Sequence, residues 1–74
     1  MADTGLDCKG LACPMPIVKM SKACKIMVAG ETLTVTSDDP GFEPDVAAWA
    51  EAQGHELVSL VEEAGVYTAV VRLA

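Results

Sequence analysis

No apolar run in this 74-residue chain approaches the roughly 20 residues that a membrane-spanning helix needs. Its start, MADTGLDCKG, lacks the charged-then-apolar layout of a secretory signal, so a cytoplasmic chain with no membrane role is expected. Internal repeats, low-complexity tracts and linker-like stretches are absent, and proline and glycine are sparse at four and six residues. With 51% hydrophobic and 22% charged residues, the composition is too apolar and too mixed for intrinsic disorder. A single domain spanning residues 1–74 is expected, because chains this short do not divide. Its core supplies on the order of 3–5 kcal/mol net, too little to house a deep cavity for a large cofactor. No cofactor is therefore expected, and chemistry should sit at the surface.

Basic residues are few, and the net charge of −6 is unevenly spread. Residues 1–30 hold four lysines against Asp3 and Asp7, a local +2, whereas residues 31–74 carry −8 with Arg72 as their one cation. Global acidity without a basic tail argues against nucleic-acid binding, which depends on many phosphate-neutralising side chains. Three cysteines leave one unpaired under any single-disulfide scheme, and a reducing compartment favours free thiols. At least one of them needs a chemical or packing explanation.

Periodicity outlines six elements. A short strand is expected at 4–8, then a loop punctuated by Gly10. A helix is expected at 14–27, where Ile17, Met20, Cys24 and Met27 recur at the spacing of one buried face. Thr32–Ser37 alternates as a strand, with Leu33 and Val35 on one face and hydroxyls on the other. Asp38-Asp39-Pro40-Gly41 reads as a turn. A second helix should begin near Glu43, with Pro44 at or near its first position, bury Val46, Trp49 and Ala50, and end with Gly54 in the C′ role. Apolar runs at 56–61 and 66–73 flank Glu62-Glu63-Ala64-Gly65 as a β-hairpin. The order β-α-β-α-β-β suggests a two-layer α/β sandwich in which both helices cover one face of a mixed four-stranded sheet.

The informative segment is Gly10-Leu11-Ala12-Cys13-Pro14-Met15-Pro16. Cys13 falls where a loop meets the first helix, a natural N-cap position, with Pro14 at N1 and Pro16 at N3. Proline is tolerated there because first-turn N–H groups have no helical partner, and both rings restrict the helix start to one geometry. A thiolate at the cap can accept the Met15 N–H and feels the positive end of the helix dipole, which lowers its pKa. Lys9 and Lys19 reinforce that effect if their ammonium groups approach. The alternative is that Cys13 is a small buried hydrophobe and the prolines merely start a helix.

The run Leu6-Asp7-Cys8-Lys9-Gly10-Leu11-Ala12-Cys13-Pro14-Met15-Pro16 resembles the N-terminal signature of the TusA-like (SirA-like) sulfur carrier proteins, whose hallmark is a single Cys-Pro-X-Pro. Gly30-Glu31-Thr32-Leu33, Asp38-Asp39-Pro40, Gly54-His55-Glu56-Leu57 and the closing hairpin are similar to later landmarks of that family in the same order. The resemblance implies the β-α-β-α-β-β sandwich and a persulfide carried on Cys13. It further implies a donor such as a cysteine desulfurase or a rhodanese-like protein, and an acceptor protein next in the relay. Members serve tRNA thiolation, molybdenum-cofactor enzymes, sulfur oxidation or selenium metabolism, and the shared motif does not choose among these. Cys8 stands where members frequently carry alanine, which leaves a redox role open. Gly41-Phe42-Glu43-Pro44 replaces the threonine-rich turn expected of tRNA-thiolation members.

Other candidates have plainer readings. Lys19, Lys22 and Lys25 form a basic ribbon opposite the apolar face, suited to an acidic partner or simply to solvent. His55 reads as part of a strand entry, and Trp49 as core. Cys8, Cys13 and Cys24 lack the close pairing of structural zinc sites, so no metal is expected. Asp38 and Asp39 suit a turn better than a carboxylate pair. Cys24 lies roughly 16 Å along the helix from Cys13, beyond the roughly 7 Å reach of a disulfide. Besides a sulfur carrier, two other functions fit the residues: a non-catalytic interaction or regulatory module using the lysine ribbon, and a Cys8–Cys13 thiol redox switch.

Overall fold

Alternation along TLTVTS decides the middle of the sheet: Leu33, Val35 and Ser37 are fully buried, while Thr32, Thr34 and Thr36 point to the opposite face and stay half-exposed. The computed structural model describes residues 3–11 and 15–74. Within them the elements run β1 (Asp3–Asp7), α1 (Met15–Cys24), β2 (Thr32–Ser37), α2 (Phe42–Gln53), β3 (Glu56–Glu63) and β4 (Val66–Arg72). The sheet order is β1-β2-β4-β3, with β1 parallel to β2 and the other pairs antiparallel. This is the expected mixed sheet. Met20 of α1 and Phe42, Val46, Trp49 and Ala50 of α2 join Leu33, Val35, Ala69 and Val71 in one core, so both helices cover the same face. No helix among the described residues is long and apolar enough to cross a membrane.

The expected apolar stripe of α1 forms, with Met20 buried and Ile17, Cys24 and Met27 packed against the core. The helix itself ends at Cys24 rather than at residue 27. Lys25, Ile26 and Met27 donate to the carbonyls of Lys22, Ala23 and Cys24, each at 3.2 Å, a tightened three-residue winding that closes the helix while keeping Met27 inward. The second helix starts one residue earlier than expected, at Phe42 behind Gly41, because burial of the Phe42 ring anchors its first turn. Pro44 is consequently its third residue. Gly54 takes the C′ role with φ 76°, its N–H turned back on the Ala50 and Glu51 carbonyls.

Two departures shape the hairpin. Strand β3 continues to Glu63, so the loop is Ala64-Gly65 alone, with φ values of 53° and 81°. Two left-handed residues in a two-residue loop match the twist of the flanking strands, as a type I′ turn does. A bulge between Leu57 and Ser59 leaves Val58 outside the β3–β4 register. Strict alternation would send Leu57 and Leu60 to opposite faces, and the extra residue lets both pack against the core. At the other end of β4, Leu73 extends the pairing by exchanging backbone bonds with Gly30 and Glu31 at 2.8 and 2.9 Å.

Candidate functional site

The described start of the segment joining β1 to α1, residues 8–11, has its backbone donors committed one after another. Cys8 N–H continues the β1–β2 ladder to the Thr36 carbonyl at 2.7 Å, and Lys9 N–H reaches Asp7 Oδ1 at 3.0 Å. Gly10 N–H reaches Asp38 Oδ1 at 3.0 Å, and Leu11 N–H returns to the Cys8 carbonyl at 3.2 Å. Gly10 has φ 84°, a backbone region that disfavours any side chain. After the turn, Pro16 is the second residue of α1 and is fully buried, so its missing N–H costs no helical bond while its ring anchors the helix start in the core. Cys13 and Pro14 lie outside the described residues.

Charge around this junction comes from both signs. The Asp7 carboxyl is held below its ordinary value of 3.8, first by the Lys9 N–H it accepts, then by the Lys9 charge, the Thr36 hydroxyl and Lys19. Lys9, Lys19 and Lys22 are all exposed. Lys19 acts on both Asp7 and Cys8, which places its ammonium toward the end of β1. Met15 and Val18 accompany the lysines on the outer side of α1, 45% and 37% exposed, so the free face of this helix is apolar at its start and basic farther along. Gly10, Leu11, Asp38, Asp39 and Pro40 border a shallow cavity of about 320 Å³ beside the same junction.

Cys8, left open as a redox partner, is fully buried in the core. Burial pushes its thiol above the ordinary value, Lys19 opposing, so the thiolate needed for exchange is disfavoured. Cys24 is half-buried and is likewise pushed up by burial. It lines a second cavity, of about 390 Å³, at the far end of α1 together with Trp49, Lys25 and His55. His55 is structural in position: its Nδ1 accepts the Ala74 N–H at 3.1 Å and its ring lies 5.3 Å from that of Trp49. Among the described residues no three His, Cys, Asp or Glu side chains converge as metal ligands would. The expectation of a turn at Asp38-Asp39 holds, since Asp39 N–H donates to Ser37 Oγ and the Asp39 carbonyl accepts Phe42 N–H. The reach of the Asp38 carboxylate to Gly10 went unread in the sequence, where nothing marks an acceptor for a donor 28 residues away.

A family model described as sulfurtransferase TusA matches residues 4–73. YrkF of Bacillus subtilis is 50% identical over 58 residues, covering 78% of this chain but 31% of that protein, so the chain spans less than a third of that relative's length. The sulfur carrier protein TusA of Allochromatium vinosum is 41% identical over 63 residues, 85% of this chain and 83% of the relative. Among solved structures, a SirA-like protein from Desulfitobacterium hafniense superposes with a TM-score of 0.81 over 93% of this chain and 95% of its own, at 24% identity, which shows a shared fold.

Proposed function

The chain belongs to the TusA family of sulfur carriers, and from that membership we propose that it relays sulfur as a persulfide on Cys13 between a donor protein and an acceptor protein. The carrying unit is residues 1–74, acting as a sulfurtransferase in a reducing cytoplasm. In the loading step the Cys13 thiolate attacks the outer sulfur of the donor's persulfide. A new S–S bond forms at Cys13 as the donor's S–S bond breaks, and the donor leaves as a thiolate. In the unloading step an acceptor thiolate attacks the outer sulfur of the Cys13 persulfide, and Cys13 departs as the thiolate it began as. Each step exchanges one S–S bond for another, so no external oxidant or reductant is consumed.

The observation that carries this reading is the Cys13-Pro14-Met15-Pro16 run, whose last two residues open α1, in a chain matched to the family across residues 4–73. Pro14 and Pro16 shape the start of the helix, and burial of the Pro16 ring supports that role. The positive end of α1 favours a sulfur anion beside it. Lys9 and Lys19 beside the junction, with Lys22 in the last turn of α1, steer an acidic partner onto this face of the molecule. A Cys8–Cys13 switch is disfavoured by the burial of Cys8. Incubation with a persulfide donor followed by intact-mass measurement tests the proposal. One added sulfur is expected, removed by reductant and missing in Cys13→Ser, whose hydroxyl still suits a helix cap. Equal loading of Cys13→Ser would overturn the carrier reading.

A further inference from the structure

The two ends of the segment that carries Cys13 are anchored differently. On its far side α1 is fastened by the buried Pro16. On its near side the Cys8, Lys9 and Leu11 amides are satisfied by the neighbouring strand or by residues two and three positions away. Gly10 alone of the four donates to a side chain beyond its own loop, Asp38 Oδ1 at 3.0 Å, in the segment between β2 and α2. The loop that presents Asp38 is itself well held: Ser37 is fully buried with its hydroxyl accepting the Asp39 N–H, and Phe42, bonded back to the Asp39 carbonyl, is buried at the start of α2. A charged acceptor on a fixed support is a strong partner for an amide in an exposed turn.

We propose that Asp38 is a positioning residue for Cys13, its carboxylate holding the Gly10 amide and so setting the path by which the chain approaches the carrier cysteine. The inference rests on the reading of Cys13 as the sulfur carrier. In-line attack on a persulfide requires the sulfur to sit within a narrow range of positions, and small misplacements cost rate steeply. Asp38 touches neither sulfur nor partner in this account. It acts through the two residues, Leu11 and Ala12, that separate Gly10 from Cys13 in the chain.

The test compares the full chain with Asp38→Ala, Asp38→Asn and Asp38→Glu, using inorganic polysulfide as donor at a pH where Cys13 is fully ionised in all four. The amide oxygen of asparagine accepts the same N–H, so loading within about twofold of the parent is expected for it, against a loss of roughly tenfold in Asp38→Ala. Asp38→Glu keeps charge and acceptor but displaces the carboxylate by a methylene, and an intermediate rate is expected; it also serves if the alanine variant fails to fold. Asp38→Ala and Asp38→Asn carry equal charge. A higher pH midpoint for Cys13 alkylation by iodoacetamide is therefore expected in the alanine variant, a difference that a general loss of stability would not produce. Faster hydrogen exchange at the Gly10 amide should accompany it. Loading by Asp38→Ala at the parental rate, or equal slowing in Asp38→Asn, would overturn the proposal. A parent that takes up no sulfur refutes the carrier reading instead, while the alkylation and exchange measurements still report on Asp38.

Discussion

The indole N–H of Trp49 donates to the Ser21 hydroxyl at 3.1 Å, joining α2 to α1 above the sheet. The ring is nearly buried in the core and its centroid lies 5.3 Å from that of the His55 imidazole. Replacing Trp49 by Phe removes the donor and part of the ring volume, for an expected loss of about 1–3 kcal/mol. Ser21→Ala should cost about 0.5–1.5 kcal/mol, and the double variant should cost less than the sum because both changes remove one bond. Urea unfolding followed by circular dichroism measures all three. Strict additivity would mean that the bond contributes nothing to joining the helices.

Ala64 is the one described residue other than glycine with positive φ, at 53°, and it precedes Gly65 in the two-residue hairpin loop. Alanine there strains against its own Cβ, whereas asparagine tolerates the left-handed region and Asn-Gly is the favoured type I′ pair. Ala64→Asn is expected to stabilise the protein by roughly 0.5–1 kcal/mol. A thermal melt that moves downward would count against this turn geometry.

Cys8 and Cys24 both have thiols raised above the ordinary 9.0 by burial. Iodoacetamide at mildly acid pH should therefore modify Cys13 first, Cys24 slowly, and Cys8 only through opening of the fold. The same shifts give stability a sign at high pH. The unfolded chain ionises these thiols near 9 while the folded protein keeps them protonated, so stability falls as pH rises through that range. Cys24→Ala should leave sulfur loading unchanged. Recovery of a Cys8–Cys13 disulfide from the folded protein after mild oxidation would contradict the burial of Cys8.

Charge reversal at Lys19 and Lys22 should slow sulfur exchange with a protein partner several-fold at low salt and spare loading by inorganic polysulfide. Exposed charges act chiefly on encounter, and salt screens them. Stopped-flow exchange across ionic strengths separates the cases. A rate indifferent to both substitution and salt would leave these lysines as solvated side chains with no part in docking.

What the sequence determined by itself was whatever depends on neighbours along the chain. Alternation in TLTVTS set the two faces of β2, the Ile17–Met20–Cys24–Met27 spacing set the inner side of α1, and Gly54 marked the end of α2. The Cys13-Pro14-Met15-Pro16 run was legible for the same reason, since restricting a helix start is a local effect of proline. Tertiary structure alone decided the strand order β1-β2-β4-β3, the bulge that turns both Leu57 and Leu60 inward, the burial of Cys8 and the bond from Gly10 to Asp38. Each of these depends on a partner brought near only by folding. Periodicity records which side of an element is apolar, but a hydrogen-bond donor finds its acceptor through space, and no local pattern in the chain encodes a partner 28 residues away.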